Sequence, residues 1–271
     1  MPNRRTVLRT SLAGAAAVLA GTSRARAVEA PVATTTCGKV RGASSGGVQV
    51  FKGIPYGAST AGANRFMPPR KPEPWTDVRD ATAYAGRSPQ APSGPQRPEL
   101  ARAWGPVDTL PVGEDCLTLH VWTPALDSTR RPVMVWLHGG AFSYGSANSL
   151  RYDGTNLARK HDVVLVAANH RLNIFGHLDL SAVGGERFAQ SGNVGVLDLV
   201  AALEWVRDNA AQFGGDAGNV TIFGQSGGGG KVSALLGMPS AKGLFHRRSS
   251  RAAPSFASPN PSAPRALPKR P

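Results

Sequence analysis

The stretch Phe213-Gly-Gly-Asp-Ala-Gly-Asn-Val-Thr-Ile-Phe-Gly-Gln-Ser-Gly-Gly228 joins a short apolar segment to a serine that lies between two glycines. Its hydrophobic pattern predicts a strand over Val220 to Phe223 and a small-residue helix over about Gly227 to Leu236. A serine at so sharp a strand-to-helix turn must adopt a strained backbone angle. The pattern therefore predicts that Ser226 presents its hydroxyl group outside the sheet as a nucleophile.

The turn around this serine is predicted to be an elbow formed by Gly224, Gln225 and Gly228. The two glycines remove steric clashes that a side chain would cause in the turn. The start of the following helix also offers free backbone N–H groups to an oxyanion. A plain glycine-rich turn with an idle serine is the alternative interpretation of the same residues.

A phosphate-binding loop is a second alternative, because four glycines precede Lys231. The motif G-x-x-x-x-G-K would need a glycine at position 225, where the chain has Gln225. The residue after the lysine is Val232 and carries no hydroxyl group for a metal ion. The spacing therefore disfavours nucleotide binding.

The net charge of +14 lies mainly at the two ends of the chain. Residues 1–27 contain five arginines and residues 247–271 contain six basic residues, and neither segment contains an acidic residue. Without these 11, 20 of the 31 basic residues remain against 17 acidic ones, so residues 28–246 carry only +3. A nearly neutral centre does not indicate a nucleic-acid partner.

Residues 1–27 have the pattern of an export signal. Arg4 and Arg5 precede a moderately apolar, alanine-rich stretch, and Ala25-Arg-Ala27 fits a cleavage site. Together these features resemble a twin-arginine signal peptide, which implies secretion or another extracytoplasmic location. The apolar stretch is too short for a permanent membrane anchor. A leader without a targeting role is the alternative.

The middle of the chain alternates predicted strands with predicted helices. Val163 to Ala168 is a continuous apolar run, which is typical of a strand buried on both faces. Residues 61–112 are rich in proline and glycine and are predicted to form surface loops. The pattern predicts an α/β fold with a mostly parallel sheet and helices on both faces. Further strands are predicted at Gly47 to Gly57, Cys116 to Trp122 and Val133 to Leu137, and a helix at Val194 to Phe213 with Val196, Leu199, Leu203 and Val206 on one side.

Several motifs together make the chain resemble the type B carboxylesterases, the α/β-hydrolases that include the cholinesterases. The resemblance covers roughly residues 35 to 247 (residues 28–247 as a domain), which corresponds to the first half of the family's usual length. Besides the serine elbow, the matching motifs are Phe51-Lys-Gly-Ile-Pro-Tyr-Gly57, Glu114-Asp-Cys-Leu-Thr-Leu119, His138-Gly-Gly-Ala-Phe142, Asn169-His-Arg-Leu172, Gly192-Asn-Val-Gly195, Phe213-Gly-Gly-Asp216 and Gly243-Leu-Phe-His-Arg247.

The resemblance implies hydrolysis of a small-molecule carboxylic ester. Ser226 matches the nucleophile that forms an acyl-enzyme, and the backbone N–H groups of Gly140, Ala141 and Gly227 match the oxyanion hole. No organic cofactor and no metal ion are implied, and no cysteine or histidine cluster has metal-ligand spacing. The oligomeric state stays open.

Three positions depart from the family pattern. Gln225 replaces a glutamate that commonly precedes the serine, and His120 replaces a small polar residue and is predicted to be a surface histidine. Cys116 usually pairs with an upstream cysteine, in a stretch that aligns with Ser88-Pro-Gln90. Whether Cys37 and Cys116 form a bridge in this chain is left open, with two buried thiols as the alternative.

The catalytic acid and base of the family follow the serine, and this chain shows neither. The 45 residues after Ser226 contain no Asp or Glu, and their only histidine, His246, matches a structural position. The upstream histidines His138, His170 and His177 do not match the base. We therefore expect a fold truncated after the elbow helix, with an exposed apolar edge at residues 220–223 and little activity. A non-catalytic cholinesterase-like binding protein or a non-functional fragment is the alternative.

Residues 248–271 are predicted to be disordered, because six prolines and many Arg, Ser and Ala residues give no periodic apolar pattern. In the family, the Phe-His-Arg motif precedes a buried strand of the type Ala-Ile-Val-Gln-Ser-Gly-Ala. Loss of one G from GC-rich codons for such a strand would yield Arg247-Arg-Ser-Ser-Arg-Ala-Ala-Pro254. A frameshift after Arg247 is thus our hypothesis, and a genuine disordered tail is the alternative.

Overall fold

The computed structural model describes residues 29–91 and 108–251. The predicted signal peptide and the chain after residue 251 lie outside these residues. The described residues form ten strands: β1 (Val32–Thr35), β2 (Gly38–Arg41), β3 (Ala43–Ser45), β4 (Val48–Pro55), β5 (Arg79–Asp80), β6 (Thr118–Thr123), β7 (Arg131–Leu137), β8 (Val164–Ala168), β9 (Gly215–Gln225) and β10 (Arg247–Arg251).

The α-helices of the same residues are α1 (Thr155–His161), α2 (Asn173–His177), α3 (Ser181–Gly184), α4 (Val194–Asn209) and α5 (Gly227–Gly237). Short 3₁₀ turns cover Gly62–Asn64, Leu150–Tyr152, Glu186–Phe188, Ser191–Asn193, Ala210–Phe213 and Pro239–Ala241. Within the described part of the chain, no helix has the length and apolar character that crossing a bilayer requires.

Seven strands form the central sheet, in the order β10-β9-β7-β8-β6-β4-β3, and a small second sheet has the order β1-β2-β5. Strands β10, β9, β7 and β8 are parallel, whereas β8, β6, β4 and β3 pair antiparallel. The predicted α/β-hydrolase fold class is confirmed, with a mixed sheet whose parallel half runs from β8 to the edge strand β10. All five residues of β8 are buried, as the continuous apolar run predicted.

Helices cover both faces of the central sheet. On one face α1 places Ala158 in a small core with Trp122 and Leu165. On the other face α4 and α5 contribute to the main core, which includes Val232 and Leu235. The four residues predicted on the apolar side of α4 are all buried there, namely Val196, Leu199, Leu203 and Val206. The α4 helix therefore forms because its apolar stripe has a sheet face to cover.

Strand β10 corrects two predictions about the end of the fold. Residues 248–251 were predicted to be disordered, yet Arg247–Arg251 pairs in parallel with β9, from Thr221 to Gln225. All five side chains of β10 are exposed, so the strand is held by backbone hydrogen bonds that composition does not reveal. The predicted exposed edge is also wrong, since Val220 and Ile222 are buried.

His120 corrects a third prediction, because it is fully buried rather than on the surface. Its Nδ1 accepts a hydrogen bond of 3.0 Å from the N–H of Gly53, and its Nε2 lies 2.8 Å from Oδ1 of Asn148. Burial lowers the pKa of His120 to about 3, so the imidazole is neutral. The prediction failed because β6 is covered on both faces. A neutral histidine can be buried there because both of its ring nitrogens are hydrogen-bonded.

Both cysteines are free thiols, which resolves the question left open by the sequence. Cys116 is buried against the hydroxyl group of Ser88, and burial raises the pKa of its thiol to about 12. Cys37 is only half-buried. The stretch that aligns with the family's missing cysteine thus lies beside Cys116, with a serine in its place.

We expect that Ser88→Cys forms a disulfide bond with Cys116, since the hydroxyl group of Ser88 lies near the thiol. The closed loop of about 28 residues should raise the free energy of unfolding by about 3 kcal/mol through a smaller unfolded-state entropy. Thermal unfolding with and without a reductant measures the gain, and Ser88→Ala is the matched control. A thiol count that does not fall in the oxidised variant would contradict the prediction.

Candidate active site

Ser226 lies where β9 ends and α5 begins, in a strained backbone conformation. Its φ of 57° and ψ of −124° fall outside the regions that a serine commonly adopts. Its N–H donates a 3.0 Å hydrogen bond to the carbonyl oxygen of Arg251, and its own carbonyl accepts the first bond of α5, from Gly230 at 3.1 Å. The side chain is exposed, as the sequence predicted for a nucleophile elbow.

Backbone contacts that exclude any side chain hold this elbow. A Cβ atom on Gly224 would lie 2.5 Å from the carbonyl carbon of Gly228. A Cβ atom on Gly228 would overlap the carbonyl oxygen of Leu137, at the end of β7. One on Gly227 would overlap the backbone of Ala141. The start of α5 therefore packs backbone against backbone on the segment after β7.

That segment, His138 to Phe142, is called the oxyanion loop below. Gly140 has a φ of 94° and Ala141 a φ of 52°, both in the left-handed region. The carbonyl oxygen of Gly140 accepts hydrogen bonds from the N–H groups of Ser143 and Tyr144, at 3.2 and 3.1 Å. These bonds close a tight turn that brings Gly140 and Ala141 beside the serine elbow.

The residues assigned from the sequence to an oxyanion hole thus come together. Gly227 is the first residue of α5, so its N–H has no acceptor within the helix. It lies against Ala141, and Gly140 and Ser226 line the same cavity. Unpaired amides next to a nucleophile are the arrangement that stabilises a developing oxyanion. The donor role of each amide stays a prediction.

A cavity of about 380 Å³ opens in front of Ser226. Its charged lining residues are Arg87, Asp108 and Arg151. Among the residues that the structure describes, no histidine lines this cavity. The remaining lining residues are Gln90, Gly139, Gly140, Tyr144, Gly145, Ser146, Ser149, Tyr152 and Gln225.

Sequence reasoning missed Gln90, which shapes the cavity wall. Its side-chain amide exchanges two hydrogen bonds with the backbone of Gly145, one of 3.0 Å to the carbonyl oxygen and one of 2.9 Å from the N–H. This clamp joins two segments that are 55 positions apart in the chain. No local pattern marks such a residue, because its role depends on a distant backbone.

Three histidines lie in or behind the oxyanion loop, of which His138 and His170 are buried and His177 is half-buried. His138 donates from Nδ1 to the carbonyl oxygen of Gly139 at 2.8 Å and stacks on His170, with 4.7 Å between ring centroids. Burial holds the pKa of both residues well below the ordinary value for histidine, and it lowers the pKa of His177 to about 4. These three histidines are therefore neutral and lie apart from the cavity.

Lys231 shares this buried region. The residue is fully buried, and its Nζ donates a 3.0 Å hydrogen bond to the carbonyl oxygen of His138. Burial lowers the pKa of Lys231 to about 7. Within residues 29–91 and 108–251, no group of three or more His, Cys, Asp or Glu side chains is placed to hold a metal ion.

Comparison with known proteins supports an assignment to one family. The family model described as "Carboxylesterase family" matches residues 29–260. Para-nitrobenzyl esterase of Bacillus subtilis is 45% identical over 216 residues, which are 80% of this chain and 42% of that protein. Phenmedipham hydrolase of Pseudarthrobacter oxydans is 42% identical over 217 residues, with the same two shares.

Solved structures give the same result. A carboxylesterase of Geobacillus stearothermophilus superimposes with a TM-score of 0.73 at 46% identity, over 81% of this chain and 42% of that one. An esterase from Clostridium hathewayi gives a TM-score of 0.76 at 50% identity, over 82% and 43%. The chain therefore spans about two fifths of the length of the relatives that it matches.

Gly228→Ala should lower the free energy of unfolding by about 2 kcal/mol, because the new methyl group overlaps the Leu137 carbonyl and forces the backbones apart. The matched control is Gly237→Ala at the other end of α5, where the added methyl group meets open space. That change should stabilise the helix by roughly 0.5–1 kcal/mol. Urea unfolding of both variants measures the difference, and equal effects would contradict the proposed close contact.

Lys231→Met should stabilise the protein at neutral pH. The folded-state pKa of about 7 lies below the ordinary 10.5. Protonated Lys231 therefore lowers the free energy of unfolding of the wild type, fully below pH 7 and less and less as the pH rises to 10.5. This destabilisation is on the order of 4 kcal/mol, and the variant regains it less about 1 kcal/mol for the lost hydrogen bond to His138.

Denaturant unfolding at pH 7 and pH 10 measures this difference. The gain of the methionine variant should shrink as the pH rises. Lys242→Met, at an exposed lysine, is the control and should change the free energy of unfolding by no more than about 0.5 kcal/mol at either pH. A gain of equal size at both pH values would mean that Lys231 does not titrate in this range.

Proposed function

Since this chain belongs to the carboxylesterase family, we propose that it carries the acyl-transfer part of a carboxylic-ester hydrolase with Ser226 as the nucleophile. The observation that supports this most directly is the strained, exposed Ser226 at the mouth of a cavity. The oxyanion loop and the free N–H of Gly227 lie beside it. This combination is the chemical requirement for attack on a carbonyl group.

In the proposed reaction, the Ser226 oxygen bonds to the ester carbonyl carbon while its proton passes to a base. Negative charge develops on the carbonyl oxygen, where the N–H groups of Gly140, Ala141 and Gly227 would donate hydrogen bonds. One such donor contributes roughly 3 kcal/mol to the transition state. The C–O bond then breaks, the alcohol leaves with a proton, and water hydrolyses the acyl-serine.

Proton transfer limits this reaction in the proposal. The described residues place no histidine in the cavity, and their hydrogen bonds include none to the Ser226 hydroxyl group. A serine without a neighbouring base is a weak nucleophile. We propose that the chain by itself acylates slowly, at a rate set mainly by the oxyanion donors and by hydroxide.

The substrate in this proposal is a small-molecule ester. The cavity volume of about 380 Å³ lies at the lower end of the usual range for small-molecule sites. One relative is named for para-nitrobenzyl esters and another for phenmedipham, which makes aromatic esters reasonable probes. We propose no organic cofactor and no metal ion for the reaction.

A second candidate function is binding without turnover, by a cholinesterase-like protein that has lost hydrolysis. The specific observation in its favour is the missing base at Ser226 among the described residues. The intact elbow geometry favours the hydrolase.

We further propose, from the sequence of residues 1–27, that the chain is exported through a twin-arginine signal.

Incubation with p-nitrophenyl acetate at alkaline pH should acetylate Ser226. The expected result is one acetyl group per chain on the tryptic peptide that contains this serine, because hydroxide replaces the missing base and the amides stabilise the oxyanion. Mass spectrometry of the intact chain and of its peptides measures the stoichiometry. Ser226→Ala should remain unlabelled at this peptide.

The matched control is Ser233→Ala, which removes a hydroxyl group from the same helix that bonds to the carbonyl oxygen of Gly229. It should leave labelling unchanged. Equal labelling of the wild type and of Ser226→Ala would remove the nucleophile assignment and favour the binding protein.

A further inference from the structure

Lys231 is a buried lysine that the proposed reaction does not use. Its side chain is fully buried, yet it is not among the residues that line the cavity of Ser226. Among the described residues no carboxylate forms an ion pair with it. The sequence drew attention to this lysine only as a possible phosphate-loop residue, and that interpretation failed.

The hydrogen bond and the cation–π contact of Lys231 both reach the oxyanion loop. Its Nζ donates a 3.0 Å hydrogen bond to the carbonyl oxygen of His138, the first residue of the loop. The same ammonium group lies 5.6 Å from the ring centroid of Phe142, the last residue of the loop. Lys231 therefore contacts both ends of the segment that contains the strained Gly140 and Ala141.

The position of Lys231 on α5 explains why it reaches this loop. Gly227 and Gly228 lie four and three positions before it, so all three share one face of the helix. The two glycines approach Ala141 and Leu137, and Lys231 reaches His138 between them. One helix face thus holds the loop through two close backbone contacts and one hydrogen bond from the Lys231 side chain.

We propose that Lys231 is a positioning residue that holds the oxyanion loop so that the amides of Gly140 and Ala141 face the same point as the amide of Gly227. The inference rests on the proposed function for its effect on catalysis. The loop order itself is a property of the structure alone. Removal of the hydrogen bond frees the His138 carbonyl, and the amide planes that follow it in the loop lose their fixed direction.

The burial of Lys231 is unfavourable for the stability of the whole fold. Burial of an ammonium group without a carboxylate partner disfavours the charged form, and the pKa of Lys231 is lowered accordingly. The neighbouring titratable groups are the neutral imidazoles of His138, His170 and His177, so they offer no compensating negative charge. Lys231 thus lowers global stability while it orders the loop, and the two effects have opposite signs.

Amide hydrogen exchange of the full chain tests the inference without any need for activity. In Lys231→Met, exchange in a peptide covering residues 138–144 should rise by about 10-fold or more, while exchange in α4 should slow because the variant is more stable overall. Ser233→Ala, on the same helix but without a contact to the loop among its hydrogen bonds, should leave both regions as in the wild type. Lys231→Leu serves the same purpose should the methionine variant not fold.

Two outcomes would overturn the positioning role. One is unchanged exchange of the loop peptide in the lysine variants. The other is an equal rise in the loop and in α4, which would mean general destabilisation.

Kinetics with p-nitrophenyl acetate add the catalytic readout. If Ser226→Ala abolishes the acylation seen in the wild type, Lys231→Met should lower the acylation rate constant by about 10-fold with the half-saturating ester concentration within about two-fold, because the oxyanion exists only in the transition state. A lower affinity at an unchanged rate constant would contradict this. Equal rates for wild type and Ser226→Ala would defeat the proposed function alone, and the exchange result would still decide the role of Lys231.

Discussion

The close contact between the start of α5 and the segment after β7 is the constraint on which the site depends. Gly227 and Gly228 bring two backbones within van der Waals distance, where no side chain fits. The contact fixes the strained Ser226 relative to Gly140 and Ala141. The contact is possible because both segments leave neighbouring parallel strands, in which Leu137 of β7 lies opposite Gly224 of β9.

Buried polar networks connect the segment after β8 to its neighbours. The guanidinium group of Arg171 pairs with Asp198 of α4 at 2.6 and 2.9 Å, which ties the end of β8 to the helix on the main core. Asn169, two positions earlier, donates from Nδ2 to the Oδ1 of Asn148 at 2.9 Å. Such satisfied networks specify one arrangement, because each partner would be costly to leave unpaired. Lys231 donates a hydrogen bond to the oxyanion loop from the same buried region, and His170 stacks on His138 there.

Strand β10 shows that a segment without apolar residues can form a strand when its backbone pairs with the edge of a sheet. Its five residues are two serines and three arginines, and all of their side chains face solvent. The backbone of Arg251 nevertheless accepts the hydrogen bond from the N–H of Ser226. The elbow therefore depends on a strand whose sequence carries no apolar signal, and whose order comes from β9 beside it.

The sequence by itself determined the fold class, the strands β4 and β6 to β9, the apolar face of α4 and the position of the serine elbow. These features are local, because they depend on hydrophobic periodicity and on glycine at fixed offsets. Only the tertiary structure decided the burial of His120, the pairing of β10, the hydrogen bonds of Gln90 to Gly145 and the hydrogen bond of Lys231 to the oxyanion loop. Each of these depends on a partner far along the chain, such as Asn148 for His120 or His138 for Lys231. A residue's type and its neighbours in sequence do not contain that information.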